Sequence, residues 1–439
     1  MAIVYQKSLF SWKDVDDLGD LERFKLVIES IPDSNLIKTL HELRANGRKD
    51  HPIAAIWNSI LAGIVFQHSS IESLRRELQR NAQLRELCGF NPLKGALAVP
   101  SKSAYNRFLK SLLEKKDMID EIFNLLVKKL QELLPDFGKE LAFDSKSIAS
   151  LSSSKGMHEG DQRGEHDADW GTKTYKGTRQ DGTTWEKVKS WFGFKLHLIV
   201  DANYELPVAM ELTKASIHDV VEMRTMFEKM ENDHPEILER CENGIGDRGY
   251  DDVKLISRLW DNYKIKPVID IRNMWKDGEE TRAMKDGRYK DMTYDYKGTV
   301  FCHCRQTGEI RKMVFGGFEK DRETLKYLCP ALQYGVECKS AKTCPLRQGV
   351  RIPLEENRRI FTPVARSSQK WKKIYNKRSS VERVNSRIEK SFGFESHYIR
   401  GQAKMRVRCC LALCVMLAMA YGRALQNKHE LMRSLVKAA

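Results

Sequence analysis

Three carboxylates, Asp144, Asp247 and Glu382, occupy positions from which chemistry could be done. Asp144 closes the short apolar run Leu141-Ala142-Phe143, and Asp247 closes Gly244-Ile245-Gly246, so each reads as the end of a buried strand. Glu382 lies in a basic segment with helical periodicity. Carboxylates at strand ends converge on one edge of a sheet, and a helix crossing that edge supplies a third. Oxygen donors of this kind suit hard cations, Mg²⁺ or Mn²⁺. Two such ions about 3.5–4 Å apart hold the attacking and leaving oxygens of a phosphoryl transfer. Each residue also has a plainer reading. Asp144 is an ordinary strand-end acid, Asp247 pairs with Arg248 at the surface, and Ser379-x-x-Glu382 is a capping box that closes a helix start.

The surrounding charge has the sign for a polyanionic partner. Lys+Arg number 75 against 60 Asp+Glu, a net charge of +15 over 439 residues. Sixteen Lys/Arg and five Asp/Glu fall between Arg351 and Arg408, so this stretch alone holds +11. A basic belt around Glu382 suits a nucleic-acid backbone, whose phosphates dominate affinity. With 41% hydrophobic and 31% charged residues the chain can build a core. The composition speaks against a small secreted scaffold, a membrane protein and an ordinary metabolic enzyme.

A second group is built from sulfur. Cys302-His303-Cys304, Cys329, Cys338 and Cys344 concentrate in a loop-rich, β-like segment with little apolar material. Two readings stay open: a structural Zn²⁺ on Cys304, Cys329, Cys338 and Cys344, or reduced thiols without metal. No C-x2-C pair is present, and five cysteines exceed four ligands.

The elements that position these groups follow from periodicity. Residues 1 to about 135 read as short helices. Pro52 opens one carrying Ile53, Ile56, Ile60 and Ile64; Ser70 caps the next; Gly89 closes a short one; Ser101 or Ser103 opens another; Asp117 caps the last, which Pro135 ends. After Asp144 a polar stretch, Ser152 to Thr184, reads as a long loop, with Asp167 and Asp169 as solvated acids. Phe192 to Val200 and Leu206 to Leu212 alternate as two strands of a hairpin. A helix from Asp219, a strand before Asp247, a helix to Trp260 and a strand Lys266–Ile271 complete a mixed α/β sheet. Asp219, next to His218, reads as a first-turn acid at a helix start. Residues 274–365 break this pattern and read as an inserted β-rich subdomain, with Trp275 at its entry. Helices return from Ser368. The apolar run Cys409–Tyr421 is short for a bilayer and reads as a buried core helix. No charged-then-apolar leader is visible at the N-terminus, and cysteine usage fits a reducing, cytoplasmic compartment.

Taken together, these residues resemble a known family. The order Asp144, Asp247, Glu382 is similar to the RNase H-like core of DDE transposases from bacterial insertion sequences. Asp247-Arg248-Gly249-Tyr250 resembles the D-x-(G/A)-(Y/F) signature of one subgroup, and Tyr375-x2-Arg378-x3-Glu382 resembles the first three elements of its Y-R-E-K signature. The flanks GFKLHLIVDANYELPVAMELTKASIHD and RSSVERVNSRIEKSFGFESHYIRG are similar too. The fourth element departs: Glu389 stands seven residues after Glu382, and Lys390 follows. At about 100° per residue, eight steps place Lys390 some 80° from the glutamate's direction.

The resemblance implies an RNase H-like mixed sheet with an N-terminal helical domain and a cysteine-containing insertion. The segments would be 1–135 (DNA-binding helices), 136–273 (first part of the core), 274–365 (insertion) and 366–439 (C-terminal core helices). It implies metal-dependent cleavage and strand transfer at element ends, with Asp144, Asp247 and Glu382 on Mg²⁺ or Mn²⁺, and Tyr375, Arg378 and Lys390 on DNA. It further implies a homodimer on double-stranded DNA, working at the nucleoid with no membrane role, and a base-stacking use for Trp275. Rival readings are a metal-dependent nuclease without strand transfer, a non-catalytic DNA-binding derivative, and a zinc-stabilised regulator.

Overall fold

A computed structural model describes residues 18–44, 49–152, 164–179, 181–394 and 396–435. Its N-terminal part is helical: α1 (Leu21–Ser30), α2 (Ser34–Leu43), α3 (Ile53–Val65), α4 (Ile71–Arg80), α5 (Ala82–Cys88), α6 (Lys102–Glu114) and α7 (Lys116–Leu133). The caps are local and chemical. Ser70 accepts from the Ser73 amide at 3.2 Å, Ser101 from Ala104 at 3.2 Å, and Gly89 ends α5 at φ 92°. Asp117 does not cap α7. That helix starts one residue earlier, because α6 runs into it through Lys115 with no room for a capping turn, and Asp117 lies in its first turn.

The sheet built by the next part of the chain is mixed. β1 (Glu140–Ala149) pairs antiparallel with β3 (Thr184–Asp201) and parallel with β5 (Asn243–Gly246); β6 (Lys266–Ile269) extends the parallel side. β2 (Asp169–Thr178) and β4 (Leu206–Lys214) both pair with β3. The polar stretch read as one long loop therefore contains a strand; its residues 153–163 lie outside the described ones. β3 is fully buried from Phe194 to Asp201, as a central strand covered on both faces must be. Asp201 ends it, and its carboxylate accepts from the amides of Asn203 (2.9 Å), Tyr204 (2.5 Å) and Gly138 (2.7 Å), which fixes the turn into β4.

Helices α8 (Asp219–Asp233), α9 (Pro235–Arg240) and α10 (Val253–Asp261) connect these strands. Between β6 and the C-terminal helices lie two small sheets, β10-β9-β8-β7 (Arg282–Ala283, Met292–Tyr294, Val300–His303 and Ile310–Lys312 for β7 to β10) and β11-β12-β13 (Val314–Glu319, Thr324–Leu328, Val350–Pro353), with a five-residue helix α11 (Pro330–Tyr334). They enclose their own apolar cluster, which includes Met292, Val300, Leu325, Tyr327 and Ile352. Three further helices follow: α12 (Gln369–Tyr375), α13 (Ser379–Phe392) and α14 (Gln402–Leu425).

α14 has the length and apolarity to cross a membrane, yet it is buried along most of its length, packing against α1, α7 and β4. Arg406, near its start, is held by Asp120 of α7 (2.9 Å) and Glu211 of β4 (2.9 Å), so this largely buried charge is doubly paired.

The β1–β5 contact admits no side chain at Gly246. A methyl there would stand 2.4 Å from the Phe143 ring, which is itself fully buried against Phe227 and Tyr250. Gly246→Ala is expected to lower stability by about 1–3 kcal/mol through overpacking. Urea denaturation measures this, and an unchanged midpoint would contradict the packing described.

Candidate active site

Parallel pairing of β1 with β5 sets Phe143 opposite Gly246, so the next residues, Asp144 and Asp247, leave the ladder side by side. Asp247 follows its strand, as the sequence suggests. Asp144 does not end β1: that strand runs on to Ala149, held there by antiparallel pairing with β3 alone. Asp144 thus sits where β1 loses its parallel neighbour and one side of the strand opens.

The two carboxylates repel each other. Burial, and then the charge of Asp247, push the Asp144 carboxyl up to about 6. Lys173 of β2, the Ser145 amide (2.7 Å from Asp144 Oδ1) and Arg378 act in the opposite direction. Asp247 Oδ1 accepts from the Gly249 amide at 2.6 Å, which anchors the adjoining turn. Arg248 does not pair with Asp247; it turns to Asp270 at the end of β6 (2.9 and 2.7 Å). Arg359 holds Asp251 of the same turn with two bonds, 2.9 and 2.7 Å.

Tyr375, Arg378 and Glu382 follow one helical path. A 3-10 turn, Asn376–Arg378, joins α12 to α13, and Tyr375, Asn376, Arg378 and Ser379 all keep right-handed helical angles across the join. There is no capping box: Glu382 pairs with Arg378 at 2.8 Å, while the Ser379 hydroxyl donates to the Asn376 carbonyl at 3.1 Å. Burial opposes the Arg378 charge, but Glu382, Tyr375 and Asp144 together raise its pKa. Arg378 therefore stands between Asp144 and the half-exposed Glu382. The Tyr375 ring stacks on Trp371 at 4.5 Å, and burial and Asp270 raise its hydroxyl pKa, with Asp247 also near.

Lys390 is exposed on α13, and the position expected to carry a lysine is differently used. Glu389 turns to β1 and pairs with Lys146, two residues beyond Asp144 on the same strand face. α13 is clamped further by Arg383 and Arg387 on the buried Glu205, and Lys377 pairs with Glu140.

Beneath the aspartates lies a polar group that periodicity does not reveal. Tyr250 is 1% exposed, and its hydroxyl lies near Ser145, Asp144, Asp219 and Asp247 without a well-formed hydrogen bond. Asp219 is more than a first-turn acid: Lys195 reaches it at 3.1 Å, and His197 Nδ1 lies 4.0 Å away. Burial pushes His197 down to about 4, and its Nε2 meets Thr213 Oγ1 at 2.9 Å. Asp167 and Asp169 are spent elsewhere, on the Gln402 amide (3.3 Å) and on Ser216. Trp275 packs edge-on to Tyr294 at 6.1 Å, with Arg282 over its ring at 4.5 Å, a partly buried structural position.

Among the described residues no three His, Cys, Asp or Glu side chains are gathered tightly enough to hold a metal ion as they stand. The donor chemistry at Asp144 and Asp247 nevertheless fits a hard divalent cation, which would relieve the repulsion between them.

The chain belongs to the DDE transposase family, a class of DNA-cleaving enzymes: the transposase DDE domain matches residues 140–418. No protein of curated function matches it. Among solved structures it is similar to a piggyBac transposase in a synaptic complex with hairpin DNA, at 12% identity and a TM-score of 0.39, over 96% of this chain and 80% of that one.

The raised Asp144 has a thermodynamic signature in metal-free buffer. Between the ordinary carboxylate pKa of 3.8 and about 6 the folded state holds a proton that the unfolded state has lost, so its contribution to stability declines as pH rises through that window. Asp144→Asn is therefore expected to be more stable than wild type at pH 7.5 by about 1–3 kcal/mol, and equal to it near pH 3.5. Denaturation at both pH values checks this; a variant less stable at pH 7.5 would show that the carboxylate is not disfavoured.

Proposed function

We propose that this chain is an insertion-sequence DNA transposase with an RNase H-like core, whose metal ions are held by Asp144, Asp247 and Glu382. The observation that carries the reading is the adjacency of Asp144 and Asp247 on parallel neighbours β1 and β5, with Arg378 joining them to Glu382. Bound Mg²⁺ or Mn²⁺ would supply Lewis-acid activation of the attacking oxygen and stabilisation of the leaving one. The chain's own residues do the rest. Arg378 is placed to move from Glu382 to a scissile phosphate, freeing the glutamate as a ligand, and Tyr375 lines the same approach. Lys173 brings positive charge to the Asp144 side, while Lys370, Lys372, Lys373 and Lys390 are exposed around α12 and α13 for backbone phosphates. Little covalent work falls to the protein beyond orientation and charge stabilisation.

In this reading residues 1–135 grip DNA, 136–273 and 366–439 form the catalytic core, and 274–365 are inserted into it. A homodimer on paired ends, acting on DNA at the nucleoid, completes the proposal.

The decisive experiment is Mg²⁺- or Mn²⁺-dependent cleavage and strand transfer on the element's own end DNA. Asp144→Ala, Asp247→Ala and Glu382→Ala should each lose at least about 100-fold in cleavage while still binding the ends. A wild type that binds and never cuts would reduce the chain to a DNA-binding derivative; cutting without joining would leave a nuclease. If Glu389→Ala is dead and Glu382→Ala active, the third carboxylate is misassigned.

Tyr250 is a positioning residue in the same scheme. Tyr250→Phe should fold normally, lose roughly tenfold in cleavage, and need more Mg²⁺ for half-maximal rate. Unchanged Mg²⁺ dependence would assign the hydroxyl a purely structural place.

A further inference from the structure

The two small sheets between β6 and α12 must fold around little apolar material. Their strands run from two to six residues, and the cluster they enclose is closed on one side by Cys302 and Cys344. At that side lies a cavity of about 20 Å³, lined by Cys302, Cys304, Cys329, Cys338 and Cys344. The volume suits one water or one ion, and the five thiols share the lining with apolar side chains and with His303, Arg311 and Ser340.

The five thiols are not equivalent. Cys302, on β9, has Cys329, Cys344 and Cys338 as its electrostatic neighbours. Cys304 has other partners: its Sγ lies 3.2 Å from Ser340 Oγ, which lines the same cavity, and it also bonds at Thr307. His303 points to the opposite strand face, where its Nε2 meets Thr293 Oγ1 at 2.9 Å. The three partners of Cys302 each begin a turn. Gln333, Ala341 and Arg347 amides return to the carbonyls of Cys329 (3.1 Å), Cys338 (3.0 Å) and Cys344 (3.1 Å). Four separate stations of the chain thus present sulfur to one small cavity, and all four cysteines are unbridged.

We infer that Cys302, Cys329, Cys338 and Cys344 form a four-thiolate site for a structural Zn²⁺. This replaces Cys304, expected from the sequence as a ligand, by Cys302. As they stand the sulfurs surround the cavity without meeting at one centre; metal binding draws them to about 2.3 Å from the ion. With four protein ligands no position stays open for substrate, so the ion braces the fold and takes no part in cleavage. It supplies cross-linking that the small core lacks, much as metal binding completes other small units. The site is independent of the carboxylate reading and stands or falls separately.

The test uses the full-length protein purified without chelator. Elemental analysis should find about one Zn²⁺ per chain, and Co²⁺ exchange should give the charge-transfer and d–d bands of a tetrahedral four-sulfur site. Cys302→Ser should lose the metal, whereas Cys304→Ser should keep it. Should Cys302→Ser fail to fold, alkylation mapped by mass spectrometry on wild type serves instead: Cys302, Cys329, Cys338 and Cys344 should become labelled together only after chelator is added. Zinc-free protein, labelling indifferent to chelator, or zinc lost from Cys304→Ser and retained in Cys302→Ser would each overturn the site.

Discussion

Everything at the candidate site depends on two like charges being held together against their repulsion. The parallel ladder between β1 and β5 does the holding: it ends at Phe143 and Gly246, and the next residue on each strand, an aspartate, has nowhere to go but beside the other. Gly246 lets the Phe143 ring lie across the neighbouring strand, and that ring packs against Phe227 and Tyr250 below. The apolar layer is thus the mechanical base on which an electrostatically unfavourable pair is mounted. Such a pair stabilises nothing by itself, unlike the opposite charges that pair along α13.

The third carboxylate reaches the site by a different physical route. α13 buries Val381, Val384, Ile388 and Phe392 in the core and is held besides by ion pairs of unequal depth. Glu205, 4% exposed, sits in the β3–β4 turn at φ 56° and receives Arg383, Arg387 and Arg433. Lys146 receives Glu389 at the other end of the helix. Buried pairs of this kind are expensive to break singly, because each break leaves an uncompensated charge. They define the helix's rotation about its own axis, and so the direction in which Glu382 points.

Much of the scaffold was legible because its signals are local. Ser70, Ser101 and Gly89 announce helix ends whatever the rest of the chain does, and the alternation from Phe192 to Val200 describes a strand before its partners are known. What escaped is non-local. β2 carries Gly171, Thr172, Lys173 and Thr174, with no apolar period, and is a strand only because β3 pairs with it. Residues 145–149 continue β1 for the same reason. Asp144 and Asp247 were visible through the apolar runs before them, but the roles of Lys146, Lys173, His197 and Tyr250 depend on which distant groups face them. The sulfur cluster shows the same limit at finer scale. Cys302 and Cys304 stand two residues apart, and only their distant neighbours distinguish them: three cysteines for the first, Ser340 for the second.

The placement of α14 bears on how the chain is made. It follows both the large sheet and the two small ones along the chain, yet α1 and α7, which precede them all, pack directly on it. The N-terminal helices therefore leave the ribosome with apolar faces that stay partly uncovered until α14 emerges. Contacts between segments so far apart in the chain close only after α14 has been made, which makes assembly slow and leaves partly made chains prone to sticking. Glu382 also arrives late, ahead of α14 by only a few turns of chain. A nascent chain halted before α13 would hold both aspartates but not Glu382, so the order of segments keeps the three carboxylates apart until the later helices have been made.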